Sequence, residues 1–142
     1  MSNIVQGQTT SFKYQLYTGG VFNLSTDSIY MALYNGNANL NLSTTAYSST
    51  NEITGTGYVA GGKLMTGITF NYDSVNSIAY INWNNVVWSP AAFTARCALV
   101  YDATASNASI CIIDFGSNKS CSNTFTVTMP TNTSSTALIR SS

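Results

Sequence analysis

Apolar and polar positions alternate regularly in the second half of this chain and lose that order in the first. The early exception is Ser28-Ile-Tyr-Met-Ala-Leu-Tyr34, an aromatic-rich run stopped by Asn35-Gly36, which predicts a strand. From Lys63 onward the pattern is all-β, with strands expected over 64–72, 77–83, 85–88, 93–101, 109–115, 125–129 and 137–140. Turn signals separate them at 73–76, 89–90, 102–107, 116–123 and 130–135. Short strands with Gly, Asn and Ser punctuation at this spacing predict an all-β sandwich or jelly roll. The runs 78–83 and 98–101 are nearly continuous in apolar residues, as central strands are.

The rest of the first half is less regular. Residues 1–10 are polar and read as a flexible N-terminal arm, leaving 11–142 as a single β-sandwich domain. Residues 12–17 fit a strand by alternation and equally one amphipathic turn. Between 35 and 62 the chain is rich in Asn, Ser, Thr and Gly, with isolated anchors at Leu40, Leu42, Tyr47, Ile53, Tyr58 and Val59. A structureless loop of that length is unusual in a compact domain, so it is either a functional loop pinned by its anchors or an extended arm. Along 93–101 both strand faces are largely apolar, so Arg96 needs a partner if it is buried. Glu52, the chain's one Glu, is the expected partner, clamping the long loop onto the sheet.

Composition narrows the functional classes. The chain has 142 residues, no His, and 7% charged side chains, against nine Tyr and two Trp. Typical soluble domains carry roughly 25% charged residues, so amides and hydroxyls must supply the polar surface here. With a net charge of +0, nothing repels one copy from another. Lys13, Lys63, Arg96, Lys119 and Arg140 are scattered, which argues against nucleic acid as a partner. No apolar run reaches the ~18 residues of a membrane span. The first residues lack the basic start and apolar stretch of a signal peptide, so the expectation is a protein made in the cytoplasm. Asn23, Asn41, Asn107, Asn118 and Asn132 each begin an Asn-X-Ser/Thr sequon, read as chance matches in so Asn-, Ser- and Thr-rich a chain.

Candidate chemistry is sparse. Without His there is neither a Ser-His-Asp nor a Cys-His arrangement. Cys97, Cys111 and Cys121 lack the paired spacing of a zinc site; they read as reduced hydrophobes, with a Cys97–Cys111 bridge as the sharper alternative. Glu52, Asp73, Asp102 and Asp114 are the carboxylates that a glycosidase pair would draw on. Asp73 and Asp102 sit in turns, where Asp commonly binds the backbone, and Asp114 sits at a strand end before Gly116. The run from Thr54 to Lys63 superficially resembles a phosphate loop, but no Gly-Lys-Ser/Thr ending is present. Its glycines allow tight backbone approach, with Tyr58 as packing anchor. Tyr47, Tyr58, Tyr72, Trp83 and Trp88 could stack on sugar rings, though aromatics also fill small β cores and subunit interfaces. The reading is therefore not an enzyme, with no catalytic, metal or cofactor-binding residue.

One series of residues goes further. Phe12-Lys13, Ala32-Leu33-Tyr34 and Thr44-Thr45-Ala46-Tyr47 are followed by Glu52-Ile-Thr-Gly-Thr-Gly-Tyr-Val-Ala-Gly-Gly62. The series continues through Trp88-Ser89, Phe93-Thr-Ala-Arg96, Val100-Tyr101 and Ile113-Asp-Phe-Gly116. In order and spacing it resembles small virion proteins of tailed bacteriophages, described as capsid cement or decoration proteins or as head or tail fibre components. The resemblance covers residues 12–129. Its most specific block contains Glu52, Gly55, Gly57, Tyr58, Gly61 and Gly62, with Trp88 and Arg96 further on, and these are expected to determine the fold. It implies a homotrimer on the outer capsid surface, bound to the major capsid protein, with residues 1–10 and 35–62 as attaching arms. The alternative is a tail-associated or fibre-tip module that recognises a host surface glycan, for which Tyr47, Tyr72 and Trp83 are the interaction aromatics.

Overall fold

The computed structural model describes residues 3–19 and 22–141. The fold is all-β, with one helix, of eight residues, among the described residues. In chain order the elements are β1 (Gly7–Gln8), α1 (Thr10–Tyr17), β2 (Ile29–Tyr34), β3 (Lys63–Leu64), β4 (Thr69–Asp73), β5 (Ile78–Asn82), β6 (Val86–Trp88), β7 (Phe93–Asp102), β8 (Ala108–Cys121), β9 (Phe125–Val127) and β10 (Ile139–Ser141). The chain divides into two compact units, one formed by residues up to Leu64 and 88–125, the other by 65–87 and 126 onward. β6 and β9 form a two-stranded sheet.

The first unit is built on a five-stranded sheet in the order β1-β8-β7-β2-β3. Each of its recorded pairings is antiparallel. The apolar runs of β2 and β7 lie side by side, from Ile29 opposite Asp102 to Tyr34 opposite Cys97. Both faces are covered, as a strand apolar on each side requires. On one face Ala32, Tyr34, Cys97, Leu99, Tyr101 and Ile112 pack with Ile4, Ala38 and Leu40 from the loops. On the other, Met31, Leu33, Val100 and Cys111 are buried, as is Phe12 of α1.

Residues 4–10 are tied to this sheet, with Gly7–Gln8 forming its edge strand, which corrects the expectation of a flexible arm. β1 pairs with β8, Ile4 and Thr9 are buried, and Val5 N donates to Leu40 O at 2.9 Å. Asp114 N donates to Gln6 Oε1 at 2.9 Å. The polar side chains that suggested an arm are used for capping and tethering. Thr9 is the N-cap of α1, its hydroxyl accepting from Phe12 N at 3.3 Å. The cap settles residues 12–17 as helix.

The second unit holds a three-stranded antiparallel sheet in the order β10-β5-β4. The strand expected over 64–72 is two strands, because Gly67, at φ 67°, interrupts it. In the first unit β8 runs on to Cys121, through the turn expected at 116–123, because β7 supplies pairing partners as far as Phe93.

Candidate functional site

The motif block folds around its one carboxylate. Residues 51–53 run beside the end of β2, with Asn35 N bonded to Asn51 O and Ile53 N to Leu33 O, both at 3.0 Å. This places Glu52 opposite Tyr34. Tyr47 donates to Glu52 Oε1 at 2.6 Å. Tyr58 donates to Oε2 at 2.5 Å, and Gly61 N donates to the same oxygen at 2.8 Å. The Tyr58 hydroxyl also accepts from Leu33 N at 2.9 Å, tying the loop to β2. Tyr101 donates to Gly61 O at 2.6 Å and stacks on Tyr47, with ring centroids 4.8 Å apart.

The glycines of the block permit this approach. Gly57 has φ 84° and Gly62 φ 88°, conformations that L side chains rarely adopt. A Cβ at Gly57 would overlap the Pro90 carbonyl, and one at Gly62 the Met31 carbonyl. Gly55 lies against Phe93 and accepts from Tyr58 N at 3.2 Å. Tyr58 packs against Trp88 and Phe93, with centroids 6.3 and 5.8 Å away, in an aromatic group completed by Phe125. The loop over 35–62 is therefore pinned by its anchors rather than extended as an arm.

Arg96 does not meet Glu52. It pairs with Asp114 across β7 and β8, next to an irregularity in register between Ala95 and Cys97. Cross-strand position decides this partner, and the tyrosines have already satisfied Glu52. Asp114 lies inside β8 rather than at its end. Burial works against its ionisation, but the Gly116 amide and the Arg96 guanidinium bring its pKa below the ordinary carboxylate value. Cys97 lies opposite Asp114 and Cys111 opposite Val100, so the two are not neighbours across the hairpin, and all three cysteines are free thiols. Burial pushes Cys97 and Cys111 up to about 12.

The tyrosine cluster is a poor acid/base centre. Burial, reinforced by Glu52, raises Tyr34, Tyr47 and Tyr58 well above the usual phenol value and Tyr101 to about 12. Near neutral pH these hydroxyls stay protonated as donors, which suits holding a loop. The carboxylates are spread over the fold. Asp73 accepts from Val75 N and Asn76 N at 3.0 and 3.2 Å, the turn role expected of it. Hydrogen bonds from Asn76 and Ser134 lower it to about 2.

Two features of the second unit were not read from the sequence. The first is an apolar stripe. Phe70 and Tyr72 are both exposed on one face of β4, Tyr72 to 80%, and Val75 follows in the next turn. β5 is the one strand neighbour of β4 among the described residues. The second is a cleft of about 340 Å³ lined by Thr69, Asn82, Trp83, Asn84, Met129 and Asn132, among others. Four Asn line it and no charged side chain does. Asn82 is buried, donates from Nδ2 to Pro130 O at 2.7 Å, and leaves an enclosed Oδ1 without a partner. The run 82–85 in the sequence carried the signal, three Asn around one Trp, but nothing there said that residues 129–132 would face it.

Of the three interaction aromatics expected, Tyr72 alone is exposed. Trp83 is buried, and Tyr47 is half-buried and occupied with Glu52 and Tyr101. This corrects the idea of a joint stacking platform. No helix among the described residues is long and apolar enough to cross a membrane. No protein-family model, curated protein or solved structure matches the chain.

Proposed function

We propose that this chain is a non-enzymatic structural protein of a virion, a capsid decoration or cement subunit. It binds the outside of the major capsid protein shell and stabilises it, as a homotrimer. The observation that carries the assembly part is β4. Four successive residues, Thr69 to Tyr72, are exposed, and two of them are large aromatics. An open edge strand with no charge before Asp73 lacks the usual protection against pairing with another chain. A chain without net charge is suited to a second copy of itself on that edge. The virion part rests on the motif series from Phe12 to Gly116, which resembles phage virion proteins. A trimer engaging several capsid subunits gains by multivalency even when each contact is modest.

Sedimentation velocity tests the assembly. The chain is expected to sediment at three times its 15.2 kDa mass at micromolar concentration. Phe70→Lys with Tyr72→Lys should return it to monomer with little change in melting temperature, since both side chains are exposed. A wild-type monomer would remove self-assembly from the reading.

The amide cleft favours a second reading, a tail-associated module that recognises a host glycan. A neutral lining of amides and hydroxyls beside Trp83 suits a polyol better than an ion or an apolar ligand, since amides buried without partners are costly. Titration with neutral monosaccharides, followed by ligand-observed NMR, tests it. Saturable binding lost in Asn132→Ala favours this second reading, and no binding removes it.

A further inference from the structure

Two carboxyl groups meet where the 22–28 segment joins the β7–β8 hairpin. Asp102 ends β7 and is fully buried. Its Oδ1 accepts from Thr104 N and Ala105 N at 2.9 and 3.0 Å, while its Oδ2 is enclosed and no other protein group donates to it. The Asp27 side chain lies within hydrogen-bonding reach of the Asp102 carboxyl. Asp27 is half-buried, and its Oδ2 accepts from Asn23 N at 3.0 Å. Neighbouring bonds hold the two together: Ala103 N donates to Ser28 O and Ser28 N to Thr104 Oγ1, each at 2.9 Å.

Two ionised carboxylates have no hydrogen to share and repel each other, so this contact requires a proton. We propose that Asp27 and Asp102 share one proton, with Asp102 the acid and Asp27 the acceptor, and that this pair fastens the 22–28 segment to the hairpin more tightly in acid than above neutral pH. The buried partner keeps the proton because ionising it costs more, and the enclosed Oδ2 is the atom left to carry it. Among the described residues, no charged group other than Asp27 acts on Asp102. Across the strands Asp102 faces Ile29 and Ala108, neither of which titrates. Its titratable neighbour along β7, Tyr101, belongs to the opposite face, and Cys111 is held as a neutral thiol by burial. Lys13, the charged residue of α1, is exposed.

The acidities agree in direction. Burial, then the Asp27 bond, raises Asp102 to about 7, and the Asp102 bond lowers Asp27. The Asp102 contribution is complete below the ordinary value of 3.8 and is lost as pH rises through about 7. The Asp27 contribution is present above the ordinary value of 3.8 and is lost instead as pH falls through its own lowered value. The pair therefore stabilises most near pH 4 and progressively less toward neutrality. The chain has no His, so no side chain of ordinary acidity titrates between pH 5 and 8 to mask the effect.

Carboxyl carbon NMR titration of the wild-type chain tests the shared proton, and melting temperature against pH tests its consequence. Expected are an Asp102 carbon titrating near pH 7 and a melting temperature that falls by several degrees between pH 5 and 8. Asp102→Asn gives Asp27 a permanent donor and should flatten that fall, overtaking the wild type at pH 8. Asp102 titrating near 4, or equal pH dependence in wild type and variant, would overturn the proposal. The NMR arm reads the wild type alone, so it decides the matter even if the variant fails to fold.

Discussion

Glu52 shows how much one side chain organises in a charge-poor protein. It accepts three hydrogen bonds, from two tyrosines and a glycine amide, and so fixes both ends of the 47–61 segment. Glu52→Ala should cost about 2–4 kcal/mol, because half-buried donors lose a charged acceptor. Glu52→Gln, which keeps one carbonyl oxygen, should cost about half as much; urea unfolding measures both. Equal stability of Glu52→Ala and wild type would mean that the loop is held by its aromatic packing alone. The importance of Glu52 and the anchoring by Tyr58 were legible in the sequence, since an isolated Glu beside glycines and an aromatic residue has few roles. Their partners were not. Arg96 finds Asp114 through a strand register with an irregularity in it, and no local pattern encodes where β7 and β8 slip.

At the scale of elements, apolar alternation located β2, β5, β6, β7 and β9 to within a few residues, because burial of alternate positions leaves that trace. It missed what capping and tethering achieve with polar residues. The first residues looked unstructured because β1 is two residues long and owes its place to backbone bonds and to Thr9. The Thr9 hydroxyl caps α1 and accepts from Ser109 Oγ at 2.9 Å. Thr9→Ala should destabilise the chain by about 1–2 kcal/mol, as lost caps do, with Thr9→Ser retaining most of the stability. Thermal or chemical unfolding checks this, and an unchanged midpoint for Thr9→Ala would contradict the role given to residues 4–10. Deleting residues 1–10 should accordingly weaken the fold itself rather than only detach an arm. β8 outran its expected end for a related reason: Gly116 and Asn118 signal a turn locally, but a continuous partner strand overrides the signal.

For the molecule as a whole, what matters is a fold rich in neutral hydrogen bonds and nearly free of charge. The all-β class followed from strand spacing. The cleft and the exposed β4 edge were not legible, because each depends on segments distant in sequence. An exposed Tyr72 and a buried Trp83 look alike as letters. Fold does not fix function, so a decoration role and a glycan-binding role remain separable by experiment. The most direct measurement is the number of copies of this chain per purified virion, by quantitative densitometry against the major capsid protein. A decoration subunit predicts hundreds of copies in a fixed ratio to that protein. A few copies, or none, would contradict it, and a few would bring the glycan reading to the front.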